Sequence, residues 1–201
     1  MHWNCVVGYV LDLLRYEKRP VLSSRPLMEC PPIIERKAWD AARPLHQNFL
    51  RIPVDLVVIQ HTVTQSCSND VDCAEIVRDL QKTHIAFLWD IGPSFLVGGN
   101  GKLYEGRGWH RVAVHTPGYN NQSIGIAFIG NFNNQDPSPK ALNAVQALIQ
   151  CGVDNERLTA NHTVVVHSQL LATESPGQKL ASKVITHSVN VMLCQTPCYL
   201  H

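Results

Sequence analysis

The 201-residue sequence predicts an α/β domain of the mixed α+β kind, a central mixed β-sheet flanked by about three helices. Three observations carry that expectation. From residue 30 onward, short β-branched runs alternate with stretches of helical periodicity, the order that builds a sheet with helices packed on it. The run SIGIAFIG (123–130) is too apolar to be wet on both faces and belongs in the middle of the sheet. Two Ser-Pro pairs, Ser138-Pro139 and Ser175-Pro176, have the form of a helix cap followed by proline at the first helical position.

Taken in order, LVVI (56–59) reads as a strand. DCAEIVRDLQKTHIAF (72–87) reads as a helix, because Cys73, Val77, Leu80 and His84 recur at spacings of three to four along one face. FLVGG (95–99) and NGKLYEG (100–106) form a hairpin, with Asn100-Gly101 suited to a two-residue primed turn. After the central strand, a helix starts at Ser138 and stops at Gly152, read as its C-terminal glycine. Val164-Val165-Val166 is a buried strand that leads into His167. The last helix opens at Ser175-Pro176 and runs through Leu180, Val184 and His187. Residues 1–29 read as an appendage whose linker is marked by Arg19-Pro20 and Ser23-Ser24-Arg25-Pro26. The domain is placed at 30–192, and a Cys-containing tail at 193–201.

Apolar residues make up 45% of the chain, enough for a real core, and the net charge is +1. That balance argues against electrostatic binding to nucleic acid, which needs a strongly basic face. WNCVVGYVLDLL is too short to span a bilayer and lacks a preceding basic region, so it is a poor signal peptide. Seven cysteines are present and no CxxC pair, which disfavours a Cys-rich zinc finger. Cys67 and Cys73 enclose a loop that is easily bridged, and disulfides imply an oxidising compartment. An odd count leaves at least one thiol free or paired with another chain. Two sequons, at Asn121 and Asn161, permit glycosylation if the chain is secreted.

Chemistry is suggested where strands end. VVIQHTVT (57–64) carries Gln60 and His61 at the end of the first core strand, and His167 follows VVV. A rigid sheet delivers ligands and catalytic groups from such positions. The residues alone leave two options open, a metal-binding histidine or a hydrogen-bonded structural one.

Six segments in series resemble the peptidoglycan recognition proteins, relatives of zinc N-acetylmuramoyl-L-alanine amidases. They are IIERKAW (33–39), VVIQHTVTQSC (57–67), DIGPSFLVGGNGKLYEGRGW (90–109), HTPGYNNQSIGIAFIGNF (115–132), ALIQCGV (147–153) and ATESPGQKL (172–180). The resemblance implies an amidase-like peptidoglycan recognition fold with a ligand groove on one face. In the family's hydrolytic members it implies a zinc ion on two His and one Cys, with an open position for water, assisted by a Tyr. Those positions fall here on Gln60, His167, Ser175 and, for the tyrosine, Pro93. An amide and a hydroxyl are weak donors for zinc, so neither a bound metal nor any other cofactor is expected, nor amidase activity.

The same resemblance places His61, Thr62, Arg107, Gly108, Trp109, His115, Thr116, Tyr119 and Asn120 at the groove. Arg107 before Gly-Trp goes with recognition of meso-diaminopimelic acid, which differs from lysine by a terminal carboxylate that a guanidinium can fork. The resemblance also implies the bridges Cys67–Cys73 and Cys30–Cys151, leaving Cys5, Cys194 and Cys198 without assigned partners. Three departures bear on binding: Ala113-Val114 add bulk, Pro93 removes a hydroxyl, and IAFLW (85–89) shortens one groove wall. The function implied is therefore a non-catalytic innate-immune sensor of peptidoglycan, probing diaminopimelic-type fragments outside the cell, either secreted or as a receptor ectodomain. The alternative is a regulatory member acting through protein partners, such as other peptidoglycan recognition proteins. A residual enzyme on Gln60, His167 and Ser175 is a third reading.

Overall fold

The computed structural model describes residues 30–187, with side chains through residue 184. The appendage 1–29, the domain's end near 192, the tail 193–201 and the cysteines Cys5, Cys194 and Cys198 lie outside the described residues.

Six strands form one sheet: β1 (Ile33–Ile34), β2 (Val54–His61), β3 (Phe95–Val97), β4 (Leu103–Glu105), β5 (Ser123–Phe128) and β6 (Leu158–Val166). Their order across the sheet is β1-β4-β3-β5-β2-β6, so SIGIAF is central as its composition requires. β3 and β4 are antiparallel and every other neighbouring pair is parallel, which makes the sheet mixed. Three helices cover it: α1 (Asp70–Leu88), α2 (Pro139–Asp154) and α3 (Gln178–His187).

The period of two along each strand sorts side chains between the layers. Val57, Ile59, Phe95, Val97, Ile124, Ile126 and Phe128 pack against Ala141, Val145 and Leu148 of α2 and Leu180 and Val184 of α3. On the other face Leu96, Tyr104, Ala127 and Ile129 pack against Trp39 and against Cys73 and Val77 of α1. Each such fully buried aliphatic or aromatic side chain stabilises by roughly 1.5–3 kcal/mol. Gln60 stands between Ile59 and His61, so its side chain falls on the α1 side of the sheet, where the site described below opens.

Both expected disulfides are formed. Cys67–Cys73 closes the loop that feeds α1, and Cys30–Cys151 ties the entry of the domain to α2. No helix among the described residues is long and apolar enough to cross a membrane.

Three local expectations are corrected. The β3–β4 connection is the five residues 98–102, with the Gly101 N–H donating to Gly98 O at 2.9 Å and only Gly101 at positive φ (81°). Asn100 is drawn off to donate to Asp70 at the start of α1 (2.9 Å), so it does not enter a primed turn. Gly152 lies inside α2, which ends at Asp154. It is glycine because a Cβ there would come within 2.7 Å of the Trp109 ring. Ser175 does not cap α3. The helix starts at Gln178, and the Ser175 hydroxyl instead accepts the His61 N–H at 3.3 Å.

Candidate functional site

A groove of about 340 Å³ opens on the α1 side of the sheet, at the C-terminal ends of β2 and β6. The parallel pairing of β2 with β6 sets Ile59 beside Val166, so Gln60-His61 and His167 emerge together. Leu80, His84 and Leu88, spaced by four along α1, form one wall. Gly92, Pro93, Val114 and His115 continue it, and Thr173, Glu174 and Ser175 close the other side.

Gln60, His167 and Ser175 all line this groove, as do His61, Thr62, His115 and Pro93. The Gln60 amide is buried and donates to His115 O at 2.9 Å and to Thr116 Oγ1 at 3.3 Å. Its nitrogen is thereby spent on bracing the neighbouring loop. The Ser175 hydroxyl is engaged with the His61 backbone. His167 buries both ring nitrogens with no protein partner, the one polar ring in the groove left in that state among the described residues. The three positions thus hold an amide, an imidazole and a hydroxyl. Among the described residues no three His, Cys, Asp or Glu side chains come together to hold a metal ion.

His61 Nδ1 accepts the Phe132 N–H at 3.3 Å, which puts the ring proton of the neutral imidazole on Nε2. Burial pushes its pKa down, with Glu174 opposing. His115 is the most constrained group. Its Nδ1 lies 2.8 Å from Thr116 Oγ1 and its Nε2 3.3 Å from Ser123 Oγ, and burial drives its pKa down to about 3. Burial also lowers His84 and His167, with Arg107 adding to the first and His61 to the second. The groove's four histidines are therefore neutral at pH 7, and Glu174 is the single charged side chain among the residues lining it.

Other expected groove residues sit behind it. Asn120 Oδ1 accepts the N–H groups of His115 (3.0 Å) and Thr116 (2.8 Å), while the Tyr119 carbonyl accepts the Ser123 hydroxyl (2.7 Å). Thr116, Tyr119 and Asn120 hold His115 in place and do not line the hollow. Gly108 and Trp109 line a separate hollow with Phe95 and Glu105, where the Trp109 ring lies 4.7 Å from that of Phe95, tilted by 58°. Arg107 departs furthest from expectation. It is 4% exposed, and its guanidinium donates to Ile91 O (2.7 Å), Leu88 O (2.6 Å) and Val112 O (3.1 Å). The fork expected for a ligand carboxylate is turned onto backbone carbonyls under the groove wall.

Sequence reasoning missed Glu174, Asn133 and Val63 as lining residues. The Leu80/His84/Leu88 stripe was readable from its spacing. Val63 carried no signal, because its left-handed backbone (φ 58°) is rare for a β-branched residue.

The family model for N-acetylmuramoyl-L-alanine amidase matches residues 50–178, more than half of the chain. A peptidoglycan recognition protein of Trichoplusia ni is 53% identical over 154 residues, covering 76% of this chain and 85% of that protein. Bumblebee PGRP-SA superimposes with a TM-score of 0.79 at 42% identity, covering 82% of this chain and 99% of that one. Peptidoglycan recognition protein-LE, solved in complex with tracheal cytotoxin, a monomeric diaminopimelic acid-type peptidoglycan, gives 0.75 at 40% identity over 77% and 92%. With this sheet order, these two bridges and this groove, the chain belongs to the peptidoglycan recognition protein family, on an amidase-like domain.

Proposed function

We propose that this protein captures peptidoglycan fragments in the groove between α1 and the ends of β2 and β6, and does not hydrolyse them. Diaminopimelic-type fragments are among its ligands, on the strength of the likeness to the cytotoxin-bound relative. The carrying observation is the commitment of Gln60 and Ser175 to protein hydrogen bonds beside His167. A hydrolytic zinc needs three strong donors and an open position. One imidazole with a neutral amide and a neutral hydroxyl, both weak donors to zinc, does not fit that ion. What the groove retains is apolar walls with a few fixed polar groups, the make-up of a binding cleft. The two disulfides fit an extracellular setting, secreted or on a receptor ectodomain.

A second reading is favoured by one observation. Leu45, Phe87 and Trp89 are 68%, 77% and 53% exposed around the end of α1, next to the groove wall. Exposed apolar side chains in one region suit a protein partner, such as another member of the same family. Sedimentation of the purified, oxidised protein with insoluble peptidoglycan separates the two. Retention in the pellet, and release by soluble muropeptide, supports capture. A protein left wholly in the supernatant by both diaminopimelic- and lysine-type walls sinks it in favour of the partner reading.

A further inference from the structure

Among the described residues, four that are not glycine hold a left-handed backbone: Asp40, Val63, Trp89 and Glu156. Three of them stand where a helix stops, which is the ordinary place for that conformation. Asp40 caps the short helix Arg36–Trp39, and Trp89 caps α1. Glu156 follows the end of α2, with its N–H on Val153 O at 3.1 Å. Val63 ends no helix. It lies two residues past the end of β2, at φ 58°. It is also β-branched, the kind of side chain for which this backbone is most strained.

The surrounding chain holds it there. The Thr62 N–H donates to Phe128 O and the Val63 N–H to Gly130 O, both at 3.0 Å. The Gly130 N–H returns a bond to Thr62 Oγ1 at 3.0 Å. None of these bonds involves the side chain at 63. The neighbouring hydroxyls are already engaged with the protein. Thr64 donates to Gln65 O at 3.1 Å, which leaves Thr62 to donate to Thr64 Oγ1 at 2.7 Å. The Val63 isopropyl group, by contrast, is 61% exposed and lines the groove. Glycine or asparagine would take the same backbone at lower cost. The packing of the fold therefore gives no reason for a valine.

An outlier of this kind at the mouth of a cleft points to what enters the cleft. We propose that Val63 is a ligand contact at the groove rim, selecting an apolar, methyl-bearing part of the captured fragment: the lactyl ether of its sugar or an alanine of its stem. The strained backbone is then a stability cost retained for that contact. This inference rests on the capture function proposed above. Because the bonds to Phe128 and Gly130 are present in the free protein, the rim is preformed and little ordering is needed on binding.

The test uses the full oxidised chain, its Val63→Asn, Val63→Gly and Val63→Ile variants, and a soluble muramyl tetrapeptide of the diaminopimelic type. Calorimetric titration gives affinity, and urea unfolding without ligand gives stability. Val63→Asn and Val63→Gly are expected to bind roughly fivefold more weakly, as loss of a partly buried isopropyl contact implies. Their unfolding midpoints should equal or exceed that of the wild type, since both residues tolerate the left-handed backbone. Val63→Ile should bind within about twofold of the wild type, because it keeps the apolar contact. Affinity and stability thus move in opposite directions, which a merely structural residue would not produce. Asn and Gly variants that bind as tightly as the wild type overturn the proposal. So do variants whose midpoints fall along with their affinity, because Val63 would then be serving the fold. A wild type that binds no muramyl peptide overturns the capture function itself, and this contact with it; that failure is read on the wild type alone.

Discussion

Gln60 and His115 are bound to each other through the Gln60 amide and the His115 carbonyl, and between them they set the character of the groove. Gln60 was readable in the sequence as a candidate groove residue, because it stands at the end of the strand VVI in VVIQHT, and it does line the groove. What could not be read was the use it is put to. A side-chain amide at a strand end shows nothing of its partner 55 residues away until the fold brings His115 and Thr116 up to it. Arg107 shows the same limit more sharply. Its identity was plain, but its direction depends on where α1 ends, because the Leu88 carbonyl at that end accepts its Nη2 N–H. His115 yields a pH prediction. Its folded pKa is about 3 against an ordinary 6.5, so the unfolded chain takes up a proton that the folded chain refuses. Its contribution to stability is present above pH 6.5 and is lost as pH falls below it, at up to about 1.4 kcal/mol per pH unit. His61, His84 and His167 act in the same direction. Urea unfolding at pH 7, 6 and 5 should show the midpoint falling steadily; an unchanged midpoint contradicts the buried, neutral state of these rings.

At the scale of elements, most of the fold was legible. The strand at 123–130, the helix through Cys73 and Val77, and the helix begun by Ser138 all follow from pattern and cap, and the Ser138 hydroxyl does accept the Ala141 N–H at 3.1 Å. The failures share one cause, which is that a tertiary partner outbid a local rule. Gly152 looks like a helix stop, yet α2 continues two residues beyond it to Asp154, and it is glycine because Trp109 needs the space. Ser175 looks like a cap, yet β2 claims its hydroxyl. Gly152→Ala separates these influences. Helix propensity alone favours alanine by up to about 1 kcal/mol, whereas a Cβ 2.7 Å from Trp109 and 2.9 Å from Leu158 forces both aside. Packing should win, with a net loss of roughly 1–3 kcal/mol in thermal or urea unfolding. A variant as stable as the wild type refutes the packing account of this glycine.

For the molecule as a whole, the sheet with helices on both faces fixes where chemistry can happen, and the two bridges brace it from either side. Cys67–Cys73 steadies the loop beside the groove, and Cys30–Cys151 joins residues 121 apart in the chain. The domain is amidase-like, and its groove is lined by neutral rings, apolar walls and one carboxylate; the proposed function takes Gln60 and Ser175 to stand where a hydrolytic member holds its metal. The most direct test of that account is to incubate the oxidised protein with zinc and polymeric peptidoglycan of the diaminopimelic type, and to measure released stem peptide by mass spectrometry against a zinc amidase control. The expected result is protein bound to the wall with no zinc-dependent release of peptide; zinc-dependent release that chelation abolishes contradicts the central claim.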